Sequence, residues 1–393
     1  TIQTFNVPFE MFTTLFATLP FIFYFATSYI LEDKKRAQNL LVFAILALLN
    51  TPSAYASTLW HMFFLSFSIY FFTLSLVNKN KESRPLKHFF ILIFVFLIIN
   101  FFWLMPNIYF ILTHSKDVAL ANINKLFSEQ AFLKNKEFGN INDILLLKSF
   151  YFDWSIYKGD GVFEDLLLPW LNHFKDIKVL AVGYIVGLSI ILGAFAAVKS
   201  LKKQILPLFL VLGFCLFFLI NDNFPTSFIY SFFQDHVPFF KEALRFPANK
   251  IFNVYIFIVT IFFGFFAKFV IEKAQKIKIK HAEYFFASLV LILLTYYTLP
   301  AFSGNFINKY MKVNIPKEYF NVFSYLNTQP DSVRVANLPI QSPWGWVYYN
   351  WEENDKPSYQ GAGFLYFGIK QPLLDRDFDR WSPYNESYYR EMS

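Results

Sequence analysis

Stretches of about 20 residues without a charge at their centre recur along this chain, and they constrain its fold more than any other feature. A helix needs about 20 apolar residues to cross a hydrocarbon layer roughly 30 Å thick, and a Lys, Arg or Asp at its centre costs about 2.5 to 3.5 kcal/mol. Such stretches occupy residues 9–31 (with Glu10 at the rim), 89–112, 179–198, 205–220, 251–271 and 284–301. Residues 40–77 are also apolar, but Asn50, Thr51 and Pro52 interrupt them, which divides the region into two spans, the first short. The expected core is an all-α polytopic membrane domain of about eight spans. Composition points the same way: 55% of the 393 residues are hydrophobic and 16% charged, against roughly a quarter charged in a soluble chain. A cytosolic enzyme, a disordered chain and a disulfide-stapled module are excluded, the last because Cys215 is the only cysteine. The 55 phenylalanines are weaker evidence one by one, because Phe, Ile, Lys and Asn are abundant together, as an AT-rich coding sequence would make them.

The links between spans sort by charge. Lys34, Lys35 and Arg36 lie in one, Lys79, Lys81, Arg84 and Lys87 in the next, Lys199, Lys202 and Lys203 in a third, and Lys273, Lys276, Lys278 and Lys280 in a fourth. Basic short links stay in the cytoplasm, and each neighbouring pair of these is separated by two spans, so the parity is consistent. Residues 1–8, 50–55, 113–178, 221–250 and 302–393 then face outside the cell membrane. Lys268 is placed to snorkel, and Pro20, Pro106 and Pro207 fall in or near span ends, where kinks are tolerated. Domain limits follow: a transmembrane domain over residues 1–301 with outer loops 113–178 and 221–250, then an outward soluble domain over 302–393. In the latter, residues 315–326 read as a short amphipathic helix with Pro316 at its first turn, followed by a turn at Pro330 and Asp331 and a strand over 332–340. Mixed α/β character is therefore expected of it. Both chain ends read as truncations of a longer protein.

No phosphate-cradling glycine loop, HExxH, CxxC or GxSxG occurs, so ATP-driven transport and metalloprotease chemistry lack their usual residues, and no metal site is expected. Nothing points to nucleic acid. The loop 221–250 is the richest in candidates: Asp222, Asp235, His236, Lys241, Glu242, Arg245 and Lys250 alternate with Phe232, Phe233, Phe239, Phe240 and Phe246. Carboxylates and cations on an apolar loop at the bilayer face suit a ligand with a lipid tail and a phosphate head. Arg245 would clamp phosphate with its fork of donors, and Lys250 would add a point charge. The same cations fit equally a role against lipid headgroups, or an ion pair with Glu242. Trp60 and His61 sit near the outer end of a span, as substrate contacts or as a membrane-interface anchor and its hydrogen-bonded neighbour. Asp153, Asp160, Glu164 and Asp165 surround Trp154, Gly159 and Gly161, a solvated acidic turn or a pair for acid and base work. Asp375-Arg376-Asp377 has DxD spacing, and Asn385-Glu386-Ser387 matches a glycosylation sequon.

The Asn-Thr-Pro break, the long outer loop ending in the amphipathic stretch 166–174, and FKEALRFPANKIF before a span together resemble GT-C-fold membrane glycosyltransferases. More narrowly the chain is similar to arabinofuranosyltransferase-like and related bacterial and archaeal multi-span proteins. Arg245, Pro247 and Lys250 match their Phe-Arg-x-Pro-x-Lys-Phe block, with Phe246 as an extra residue between Arg and Pro. Leu338-Pro339, Trp344-Gly345-Trp346 and Trp351 resemble their outer domain. The resemblance implies transfer of a sugar from a polyprenyl-phosphate donor to a glycan or lipid acceptor on the outer face, with no cofactor beyond that donor. It implies a base carboxylate in the first outer loop, which by span order would precede Thr1, leaving Asp222 as the resident candidate for a secondary role. Arg245 and Lys250 would hold the donor phosphate, and Glu242, His61 and Trp60 the substrate. A transporter or lipid-sugar flippase, a non-catalytic glycan-binding scaffold, and a polymerase or ligase of another membrane fold are the competing expectations. The charge-free span centres weigh against the first, and the absence of arginine from residues 113–178 against the last.

Overall fold

A computed structural model describes residues 9–79, 84–148, 152, 155–159, 162–237, 240–276, 281–307, 315–341, 351, 363–376 and 383–385. Six stretches are helical, long and apolar enough to cross a membrane: Glu10–Leu31, Ser57–Val77, Pro85–Leu120, Ile177–Ile220, Pro247–Lys276 and Ala282–Asn305. The eight expected segments map onto these six and one shorter helix. Arg36–Leu49 has only 14 residues, about 21 Å of helix. Ile177–Ile220 holds two apolar helices divided by a 3-10 turn at Lys202–Ile205. The chain divides into two units, the first comprising residues 1–108, 131–153 and 167–307, the second 109–130, 154–166 and 308–393.

In chain order the first unit begins with α1 (Glu10–Leu31) and α2 (Arg36–Leu49). The short link between them is held where Arg36 donates to Tyr29 O at 3.2 Å and meets Asp33 at 2.6 Å. A 3-10 turn, Thr51–Tyr55, follows at the expected break and packs on α1. Next come α3 (Ser57–Val77) and α4 (Pro85–Leu120), which continues without interruption past residue 112. Then follow α5 (Asn122–Phe138) and α6 (Ile141–Leu145). After the hairpin β1 (Ser155–Gly159) and β2 (Val162–Asp165) come α7 (Leu168–Phe174), α8 (Ile177–Leu201) and α9 (Leu206–Ile220). The series continues with α10 (Ser227–His236), α11 (Phe240–Ala243), α12 (Pro247–Lys276) and α13 (Ala282–Tyr297).

The centre of this unit is α12, which packs on α8, α9, α3 and α1. Ile251, Phe252, Val254, Ile258 and Phe262 are buried along it. Its closest approach is to α8, where a methyl group on Gly193 would lie 1.9 Å from Phe262 O, so only glycine admits the two backbones at this spacing. Small residues at such crossings are how apolar helices gain contact without a hydrophobic drive between them. On α4 the inward residues Phe89, Leu92, Phe96 and Asn100 alternate with outward Phe94 and Phe102, which are 65% and 63% exposed. An outward face as apolar as the inward one belongs to a helix that meets lipid, since a soluble surface helix turns a polar face outward. The described helices therefore define a membrane protein.

The second unit contains the hairpin β1–β2, the helix α14 (Lys317–Leu326), and β3 (Val335–Gln341) paired in parallel with β4 (Leu373–Arg376). Between the two strands lies α15 (Gly363–Gly368). Phe323 of α14 and Leu365 of α15 form a small core against Tyr319, Trp351 and Leu373. Asn327 fastens the helix end, donating to Gly368 O at 3.0 Å and accepting from Lys370 N at 3.2 Å. The helix starts at Lys317, two residues later than expected, with Pro316 at its N-cap and outside its first turn. The strand begins at Val335, three residues later than expected, because residues 330–334 hold the preceding turn.

Candidate functional site

The loop between α9 and α12 is positioned by an asparagine relay. Asn221 follows α9 with a positive φ of 47°. Its Nδ2 donates to Asn135 O at 3.0 Å. Asn135, near the end of α5, returns a bond from its own Nδ2 to Arg245 O. Two buried asparagine side chains, with the Asn135 backbone carbonyl between them, thus tie the end of α9 to the residue two places before α12. Gly139 completes the arrangement, since a methyl group there would lie 2.3 Å from Ile220 O and 2.2 Å from Asn223 Nδ2.

The two ends of this relay carry the ionisable candidates. Asp222 takes its backbone hydrogen bond to Asn221 Oδ1 at 2.5 Å and accepts one from Ser231 Oγ at 2.7 Å. Arg245 is only 6% exposed. Lys250 is half-buried on the first turns of α12, donates to Phe246 O at 3.1 Å, and lies near enough to Arg245 for the two charges to repel. Tyr230 packs beneath Asp222. Its hydroxyl is buried without a partner among the described residues, and burial, then the Asp222 carboxylate, push its pKa well up. Glu242 is half-buried on α11, and makes no ion pair among the described residues. Lys241 pairs instead with Asp235, at 3.7 Å and with both side chains exposed. An ion pair of Glu242 with Arg245 or Lys250, one of the alternatives offered by the sequence, does not form among the described residues.

Trp60 and His61 belong to another cluster. Trp60 is not a rim anchor: it is 1% exposed, stacked on Phe64 and Phe96 with Trp103 edge-on. Phenylalanines from two helices enclose it, so its indole lies inside the protein and is not turned to lipid. His61 is half-buried, with Nδ1 2.7 Å from Ser57 O on its own helix. Lys268, expected to snorkel, is exposed 3.8 Å from Glu272. Of the acidic turn, Glu164 and Asp165 lie on β2, while Asp153, Trp154, Asp160 and Gly161 fall outside the described residues, as do Asp377, Glu386, Ser387 and Trp344-Gly345-Trp346. No three His, Cys, Asp or Glu side chains converge among the described residues.

Sequence reasoning missed Asn135, Ser231 and Tyr230. Asn135 bonds a residue 110 positions away and sits on a mixed-polarity helix like any solvated asparagine. Only the repeated Asn-x-Asn of 221–223 after an apolar run hinted at a polar joint there. Compared with protein families, with curated proteins and with solved structures, the chain has no significant match.

Proposed function

We propose that this protein is an integral membrane glycosyltransferase that moves a sugar from a polyprenyl-phosphate donor to a glycan or lipid acceptor on the outer face of the cell membrane. The observation that carries the reading is Arg245: a buried cation beside a second cation, Lys250, where α9 ends and α12 begins. Like charges withdrawn from water favour an anion between them, and phosphate matches the fork of an arginine. The surrounding phenylalanines suit a lipid tail. In such a reaction the leaving phosphate already carries negative charge, so fixed cations in a partly dry site supply much of the transition-state stabilisation. Asp222, oriented by Ser231, is a secondary acceptor for the proton of the incoming hydroxyl. In this reading the two apolar halves of Ile177–Ile220 are separate passes, the helix Arg36–Leu49 makes a further one with the turn Thr51–Tyr55 outside, and the basic links face the cytoplasm.

The test is transfer from a polyprenyl-phosphate sugar in liposomes. Arg245→Ala should lower the rate by about 10²- to 10³-fold, the scale of removing one preorganised donor. Equal rates would remove Arg245 from the mechanism, and no transfer by the parent chain would remove the reading.

A flippase is favoured by one separate observation. In the discontinuity after α2, Asn50 Nδ2, Thr51 Oγ1 and Ser53 Oγ are buried without partners among the described residues, as in transporters built on broken helices. Movement of the lipid-linked sugar between leaflets without transfer would select this alternative.

A further inference from the structure

The two faces of α10 meet different surroundings. Its inner face rests on α9: the Tyr230 ring lies 5.5 Å from Phe217 and Phe233 lies 6.0 Å from the same ring. Phe217 belongs to the last turn of α9, an apolar helix of 15 residues. The short helix α10 is therefore seated at the depth of that last turn, and six residues, 221–226, join the two, a reach of at most about 20 Å. Its opposite face carries Phe228, 84% exposed, and Phe232, 52% exposed, one turn apart, with Phe224 just before them 82% exposed. Ser227, Ser231, Asp235 and His236 border the same face, which lines an open depression.

A helix of 15 residues is about 22 Å long, shorter than a hydrocarbon layer of roughly 30 Å. The end of α9, and α10 upon it, therefore fall within the boundary of the apolar layer and not beyond it. We propose that α10 is an interfacial helix lying in the plane of the leaflet where α9 ends. Phe224, Phe228 and Phe232 insert among the acyl chains, and Ser227, Asp235 and His236 stay at headgroup level. The occupant of the exposed face is the lipid surface, because that face continues the lipid-facing surface of the helix it is packed on. The inference stands apart from sugar transfer and holds for any activity of the chain.

Nitroxide labelling reads it directly, since the one native thiol, Cys215, is fully buried. Labels at Phe228→Cys and Phe232→Cys, in the full chain in liposomes, are compared with Leu210→Cys on the exposed side of α9 and with Glu318→Cys on α14. The expected result is that both labels collide with oxygen in preference to a water-soluble nickel chelate, by a ratio approaching that at Leu210. Nickel preference as at Glu318 would overturn the proposal by showing a watered face. Protection from both agents with spin–spin broadening would overturn it in favour of a second copy of the chain. Both positions are largely exposed, so substitution leaves the packing of Tyr230 in place, and either label suffices.

Discussion

Asn135 is polar, buried and joined to two chain segments that are distant in sequence, and its side chain accounts for the placement of Arg245. Removing it leaves Arg245 O without its donor, which costs about 1 to 3 kcal/mol for a buried acceptor. Asn135→Ala should therefore lower the thermal midpoint and weaken binding of a phosphate-bearing lipid together, measured by unfolding in detergent and by lipid titration. Tyr230 should behave oppositely. Its hydroxyl is buried without a partner among the described residues, so Tyr230→Phe should hold or raise the thermal midpoint at neutral pH. The pH dependence has a definite sign. The folded pKa lies above the unfolded value of about 10, so at higher pH the unfolded chain gives up a proton that the folded one keeps. Stability falls as pH rises past about 10, and Tyr230→Phe should flatten that decline in unfolding runs between about pH 9 and 11. Arg245 and Lys250 could be picked out in the sequence because a charge beside an apolar run is conspicuous. Asn135 could not, because its value comes from partners that only folding supplies.

Among the elements, α8 and α9 show how equal sequence signals separate. Three glycines lie in the apolar run of α8 and one in that of α9, and in isolation Gly→Ala favours a helix by about 1 kcal/mol. At Gly193 the added methyl would meet Phe262 O, whereas at Gly213 nothing lies within 4 Å. Gly193→Ala should force α8 from α12 and destabilise by about 1 to 3 kcal/mol, while Gly213→Ala should stabilise slightly. Thermal unfolding of the two variants checks both signs. The existence and placement of nearly every apolar helix was legible, including the break after Asn50, because absence of charge over about 20 residues is a local property. Residues 113–138, part of the expected outer loop, are largely helical, a feature the sequence hides because polar helices leave no apolar stripe.

For the whole molecule, the membrane-length stretches Glu10–Leu31, Ser57–Val77, Ile177–Ile220 and Ala282–Asn305 pack on α12, and the basic links predict the orientation of the chain. Cysteines placed at Lys34, Lys203 and Lys273 should react with a membrane-impermeant maleimide only from the cytoplasmic side, and at Tyr55 and Asp235 only from the other. A mixed pattern within either set would break the assigned parity. Cys215 should stay unreactive from both sides until the protein unfolds, being fully buried. The sequence by itself determined that the chain lives in a bilayer, roughly where its helices begin and end, and which short loop gathers charge, because hydrophobic transfer and charge burial act on each segment alone. Only the tertiary structure decided which helix is central, that Trp60 is enclosed, which glycines leave no room for a methyl group and that α10 turns its phenylalanines outward. Those outcomes depend on distances between segments far apart in the chain, and side-chain pattern carries no record of such distances.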